Sequence, residues 1–212
     1  MNKRIGLFGG AFNPIHLGHT TLAQNVSKDF ALDEFVFMPA KLPPHKTIKG
    51  ATPRQRYEMA ELTAALLGAN FSVSDYEFKT EGISYSHRTV SYWREAYPDA
   101  ALFFIAGSDI FATIETWQKW REIFCLSNFI VVRRDETPFE AMLNNVPIEL
   151  HDKIIWRKEY GGDLYGKIIL YEMNILAISS THIRERTAEN NCQEMLTENV
   201  HNYIQNNSLY NF

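Results

Sequence analysis

Gly9-Gly10-Ala11-Phe12-Asn13-Pro14-Ile15-His16-Leu17-Gly18-His19 is the stretch from which the rest of the chain is read. The run before it, Ile5-Gly6-Leu7-Phe8, is short and apolar, the pattern of a buried strand. Gly9 and Gly10 remove side chains where a backbone must turn tightly or approach a ligand. Asn13-Pro14 is a turn dipeptide that re-aims the chain. A helix starting near Pro14 or His16 puts His16 and His19 on one face of its N-terminus, with Gly18 between them. That end offers N–H groups and partial positive charge, so it attracts anions. Strand, glycine turn and a helix start with two imidazoles together describe a phosphate site.

Other readings of the segment exist. Two histidines without a nearby third ligand make a poor zinc site. Either histidine could be a satisfied core residue. The loop lacks the Gly-Lys-Ser/Thr end of a P-loop, and Gly9-Gly10 is not a Gly-x-Gly-x-x-Gly dinucleotide fingerprint. A second segment favours phosphate. Ile178-Ser179-Ser180-Thr181-His182-Ile183-Arg184 holds three hydroxyl residues, each able to cap a helix. With Ser180 as the cap, Arg184 lies about one turn in and can reach back to an anion.

Away from these motifs the pattern alternates. Residues 5–8, 35–38, 71–73, 102–106, 129–132 and 168–171 read as strands. Helical spacing appears in residues 15–30 (Leu22, Val26, Phe30), 54–67 (Met59, Leu62, Leu66 on one side) and 87–97 (Val90, Trp93, Tyr97). Trp117 and Trp120 read as one helix, with one ring in the core and the other free to stack. Residues 138–167 read as an irregular, helix-containing excursion. Residues 192–206 read as a terminal helix on Met195, Leu196, Val200, Tyr203 and Ile204. The expected class is α/β: a Rossmann-like, doubly wound, mostly parallel sheet with helices on both faces. Ligands in such sheets bind beyond the carboxyl ends of the strands. One domain is expected over residues 1–212, with a C-terminal helical segment at about 180–206.

Composition narrows the class. The chain has 212 residues, 45% of them hydrophobic, and a net charge of −4. No apolar run approaches membrane-spanning length, and no basic block points to nucleic acid. Cys125 and Cys192 show no ligand spacing, which fits reduced thiols and a cytoplasmic enzyme. Oligomeric state is open, a homo-oligomer included.

Three further segments fall at the same sheet edge. Pro39-Ala40-Lys41-Leu42-Pro43-Pro44-His45-Lys46 is a stiff loop with donors at its end. Gly107-Ser108-Asp109 presents a carboxylate suited to a ribose, or a helix cap. Ser84-Tyr85-Ser86 adds hydroxyls and backbone N–H groups.

His16-Leu17-Gly18-His19 resembles the His-x-Gly-His signature of the nucleotidylyltransferase superfamily, and Ile178-Ser179-Ser180-Thr181 with Arg184 resembles its second ATP-phosphate motif. With Pro43-Pro44-His45-Lys46, Ser84-Tyr85, Gly107, Asp109, Trp117, Tyr203-Ile204 and Leu209-Tyr210, nearly the whole chain resembles the bacterial nicotinate mononucleotide adenylyltransferases. Shorter pantetheine-phosphate adenylyltransferases share only the phosphate motifs. Departures are few. Ala11 stands where Thr is frequent, Asn13 where Asp is common (either serving an Asx turn), Ser86 where Thr is usual, and Arg133-Arg134-Asp135 alters a loop.

The resemblance implies transfer of AMP from ATP to nicotinate mononucleotide, giving nicotinate adenine dinucleotide and pyrophosphate. It implies His16, His19, Lys46 and Arg184 in catalysis. ATP would meet Gly9, Gly10, Ala11, Phe12, His16, Gly18, His19, Gly107, Asp109, Ile178, Ser179, Ser180, Thr181 and Arg184. The mononucleotide would meet Asn13, His45, Lys46, Tyr85, Ser86, Asp109, Trp117 and Arg134. Its ring would stack on Trp117, and its carboxylate would meet N–H groups near Tyr85 and Ser86. Mg²⁺ would arrive on the ATP phosphates, with no protein metal site. Two rivals stay open: another phosphate acceptor, such as nicotinamide mononucleotide or phosphopantetheine, and a non-catalytic nucleotide-binding module.

Overall fold

Bulky apolar residues alternate between the two faces of a central sheet, so both faces are buried. In a computed structural model, which describes residues 2–44, 49–133, 139–174, 176, 178–187 and 192–210, seven parallel strands form one sheet. They are β1 (Arg4–Gly10), β2 (Glu34–Pro39), β3 (Phe71–Val73), β4 (Ala101–Gly107), β5 (Asn128–Val132), β6 (Ile154–Trp156) and β7 (Ile168–Tyr171), in the order β3-β2-β1-β4-β5-β7-β6. The expected mostly parallel sheet is parallel in every recorded pairing. On β4, Phe103 and Ile105 join one core while Leu102 and Phe104 join the other.

The helices are α1 (Leu17–Asp29), α2 (Pro53–Leu67), α3 (Tyr76–Lys79), α4 (Ser86–Ala96), α5 (Ser108–Phe111), α6 (Trp120–Phe124), α7 (Phe139–Leu143), α8 (Ser180–Thr187) and α9 (Glu198–Asn206). Residues of α1, α2, α8 and α9 pack into the first core, and residues of α4, α5, α6 and α7 into the second. Among the described residues no helix is long and apolar enough to cross a membrane.

Local chemistry sets the helix ends. Thr52 caps α2 by accepting from Gln55 N while the Gln55 side chain accepts from Thr52 N, and Pro53 opens the helix. Gly68 ends it with φ of 110°.

Several expectations change. The buried face of α2 is Arg56, Tyr57, Met59, Ala60, Thr63 and Ala64, whereas Leu66 is 58% exposed. A stripe of small residues and one arginine hid this face from a hydrophobic pattern. Residues 138–167 contain the edge strand β6, too short for period-two alternation to reveal. The helix expected over 192–206 is broken: a 3-10 turn (Gln193–Met195) and extended Leu196 precede α9, which starts after Thr197. Trp117 is not helical. It lies extended after a 3-10 turn, and Lys119 at φ of 54° separates it from α6.

Candidate active site

β1 is bordered by β2 and β4, so chain order reverses there and the loops after β1 and β4 part to open a crevice. Gly9 and Gly10 stay inside the strand, paired with Met38 and Pro39. The unusual backbone belongs instead to Phe12, at φ of 46°. A bulky residue adopts this left-handed conformation only when its surroundings hold it there. The Phe12 ring is buried, and a Cβ on Gly10 would come within 2.9 Å of it. Gly10 thus makes room for the ring that anchors the turn.

His16 is the N-cap of α1, extended and 3% exposed. Its backbone N–H donates to His19 Nδ1 at 3.2 Å. A ring nitrogen that accepts carries no proton, so in this bond the His19 ring proton sits on Nε2. The two rings lie 3.7 Å apart, tilted by 32°. Phe12 meets His19 edge-on at 5.2 Å, fixing the ring from another side. Gly18 is explained by the same stack: a Cβ there would approach His16 Cε1 to 3.0 Å.

The second motif closes on this loop. Ser179, not Ser180, caps α8: its Oγ accepts from His182 N at 3.2 Å, and its carbonyl accepts from Ile183 N. Ser180 opens the helix and its hydroxyl donates to Pro14 O at 2.9 Å. Arg184 reaches back as expected, donating to Asn13 O at 2.8 Å and to Thr181 Oγ1 at 3.1 Å. Ile178 packs against the first core. Residues 10–19 and 178–184 therefore share one edge.

A family model described as cytidylyltransferase-like matches residues 7–186. A Desulfitobacterium hafniense protein named "Probable nicotinate-nucleotide adenylyltransferase" is 36% identical over 210 residues, covering 98% of this chain and 96% of that one. A Clostridium botulinum protein of the same name is 36% identical, covering 99% of each. This chain belongs to the cytidylyltransferase-like family, among the nicotinate-nucleotide adenylyltransferases. The fold matches a solved Plasmodium falciparum nicotinic acid mononucleotide adenylyltransferase complexed with NaAD, at a TM-score of 0.76 and 19% identity, covering 100% of this chain and 98% of that one.

The remaining residues expected of a nicotinate-nucleotide adenylyltransferase are spread over neighbouring loops. Gly107 ends β4 and caps α5, and Asp109 is exposed in the first turn of α5 rather than being the cap itself. Trp120 is the core tryptophan, while Trp117 is half-buried with its ring edge-on to Phe104 at 5.6 Å. Tyr85 caps α4 and Ser86 opens it. The Tyr85 N–H, expected to face a carboxylate, donates to Ile83 O at 3.0 Å. The Ser86 N–H stands at the first position of α4. Ser84 Oγ accepts from Leu42 N, tying this segment to the loop after β2. Asn13 makes no Asx turn: its side chain donates to Lys49 O and accepts from the Tyr210 hydroxyl, both at 2.8 Å. That buried side chain shapes the loop. His45, Lys46 and Arg134 lie outside the described residues.

Two residues were missed as contributors to the site. Arg56 is fully buried and donates to Ala11 O at 2.6 Å and Lys41 O at 3.3 Å. Burial pulls its pKa down. No apolar pattern marks a charged residue as buried. Tyr210 is 2% exposed, and burial raises its phenol, against a smaller opposing effect of Arg184 and Arg56. Its Leu-Tyr pair was visible in the sequence without a role attached.

Proposed function

We propose that this protein transfers AMP from ATP to nicotinate mononucleotide, forming nicotinate adenine dinucleotide and pyrophosphate, a step of NAD biosynthesis. The observation that carries it is the His16–His19 pair at the start of α1, with His19 Nδ1 accepting from His16 N–H. In the reaction an oxygen of the acceptor 5′-phosphate attacks the α-phosphorus of ATP. The bond from that phosphorus to the bridging oxygen breaks, and its electron pair leaves with pyrophosphate. The nucleophile is already an anion, so no general base is needed. Rate enhancement then comes from positioning and charge stabilisation.

His19 Nε2–H and His16 donate to the phosphate oxygens, where negative charge grows. Ser179, Thr181 and Arg184 serve the β- and γ-phosphates. The edge offers imidazoles, hydroxyls, a guanidinium and backbone N–H groups, which suit phosphate better than a resident cation. Among the described residues no group of three or more His, Cys, Asp or Glu could hold a metal ion. In this reading Mg²⁺ arrives with ATP, held mainly by phosphates and water. Asp109 holds a ribose. Trp117 stacks on the nicotinate ring, and the N-terminus of α4 at Ser86 receives its carboxylate. His45, Lys46 and Arg134 are assigned to the mononucleotide, and Lys46 also to catalysis, by family resemblance.

Acceptor choice tests the reading. A carboxylate only accepts hydrogen bonds, whereas an amide also donates. A donor-lined pocket leaves the amide N–H₂ unpaired, at a cost of about 1–3 kcal/mol, or roughly 5- to 150-fold. Pyrophosphate release should therefore be measured with ATP and nicotinate mononucleotide, nicotinamide mononucleotide or phosphopantetheine. Higher kcat/KM for the acid is expected. Equal values for acid and amide would remove the donor-lined pocket, and a preference for phosphopantetheine would replace the acceptor.

A further inference from the structure

The loop between β1 and α1 is held from behind by donors remote in sequence. Arg56 Nη1 takes Ala11 O, Arg184 Nη1 takes Asn13 O and Ser180 Oγ takes Pro14 O. Tyr210 holds the Asn13 side chain through its hydroxyl. In a trans peptide, C=O and the following N–H point in opposite directions. Drawing the Ala11 and Pro14 carbonyls inward turns the Phe12 and Ile15 N–H groups the other way, away from Arg56 and Ser180.

Arg56 is a costly residue to place here. Its side chain is fully buried, its Nε has no hydrogen-bond partner, and among the described residues it joins no salt bridge. Replacing buried charged groups by apolar side chains of similar volume is often neutral or stabilising for a fold. Arg56 spans two site loops, one after β1 at Ala11 and one after β2 at Lys41. Tyr210 comes from the far end of the chain to the same cluster. Phe12 needs such support, because its left-handed backbone persists only where neighbours fix it.

We propose that Arg56 and Tyr210 are positioning residues for adenylyl transfer: by holding Ala11 O and the Asn13 side chain from behind, they set the attitude of the loop that carries His16 and His19. Neither touches substrate. The inference rests on the adenylyl-transfer reading above.

The test compares Arg56→Met, Arg56→Lys and Tyr210→Phe with the parent, by thermal midpoint and by steady-state kinetics in both substrates. Arg56→Met keeps side-chain length without charge, and Tyr210→Phe removes one hydroxyl. The midpoint of Arg56→Met should fall only modestly, because relief of the buried charge offsets the two carbonyls left without this donor. Its kcat should fall about 10- to 100-fold, and that of Tyr210→Phe about 3- to 10-fold, the scale of a small misplacement of reacting groups. KM values should change much less, and Arg56→Lys should recover part of kcat. Folded variants with kcat within about twofold of the parent would overturn the proposal. So would activity that falls only in step with the thermal midpoint. Should Arg56→Met fail to fold, Tyr210→Phe decides by the same criteria. An inactive parent would defeat the adenylyl-transfer reading, and this inference with it; an active parent with unaffected variants defeats this inference alone.

Discussion

At the residue scale, the His-x-Gly-His spacing has a steric cause. The His16 ring folds back over position 18, where a Cβ would crowd it at 3.0 Å, and lies against His19. Arg184 is more constrained than its motif implies. One side of its guanidinium holds the Asn13 carbonyl, so it serves the loop as well as any phosphate. Arg184→Ala is therefore expected to act twice. Loss of a charge-assisted contact worth about 1.5–3 kcal/mol raises KM for ATP roughly 10- to 100-fold. Loosening of the loop lowers kcat as well. KM for the mononucleotide should stay near its parent value. Initial rates over both substrates check this, and a rise confined to the mononucleotide KM would assign Arg184 to the other substrate.

At the element scale, α9 is clasped to α2 through Tyr203, whose hydroxyl donates to the Glu58 carboxylate, with Arg54 Nε on the same carboxylate at 2.7 Å. The bond from Tyr203, then that from Arg54, holds Glu58 below the usual carboxylate range. Burial, then the bond to Glu58, pushes Tyr203 up to about 12. A depressed carboxylate contributes stability above its unfolded pKa and loses it as pH falls through the folded value. A raised phenol contributes below its unfolded pKa and loses it as pH rises through the folded one. The clasp is thus complete between about pH 5 and 10. Tyr203→Phe should cost about 0.5–1.5 kcal/mol, near the low end because Glu58 is partly exposed. That lowers the thermal midpoint by about 1–4 °C at neutral pH. The gap to the parent should close in acid as Glu58 protonates. Equal midpoints at neutral pH, or a gap constant into acid, would contradict the clasp.

The elements also show what sequence pattern can carry. Six strands were legible; five are largely buried runs rich in bulky apolar residues, as in Leu102-Phe103-Phe104-Ile105, while β3 (Phe71–Val73) is a half-buried edge strand. β6 was not, since its three residues lie within a stretch whose pattern reads as irregular. The histidine pair and the Arg184 reach were legible because each depends on spacing within one helix. Arg56, the Tyr210 hydroxyl and the Ser180–Pro14 bond were not, since each joins positions far apart in sequence.

At the scale of the whole molecule, every strand of the parallel sheet delivers its carboxyl end to the same side. The reversal of strand order beside β1 opens the crevice there. The glycine loop, the Gly107 turn and the start of α8 all reach that side, although they span residues 9–187. The fold needs no catalytic carboxylate pair there, because adenylyl transfer between two phosphates is a matter of holding and charge. The most direct measurement is the yield of dinucleotide and pyrophosphate from ATP and nicotinate mononucleotide, for the parent and for His19→Ala. Both products should form in equal amounts with the parent. Loss of one preorganised donor should slow the folded variant ~10²–10³-fold. Absence of dinucleotide with the parent, or near-parent turnover in folded His19→Ala, would contradict adenylyl transfer at this histidine pair.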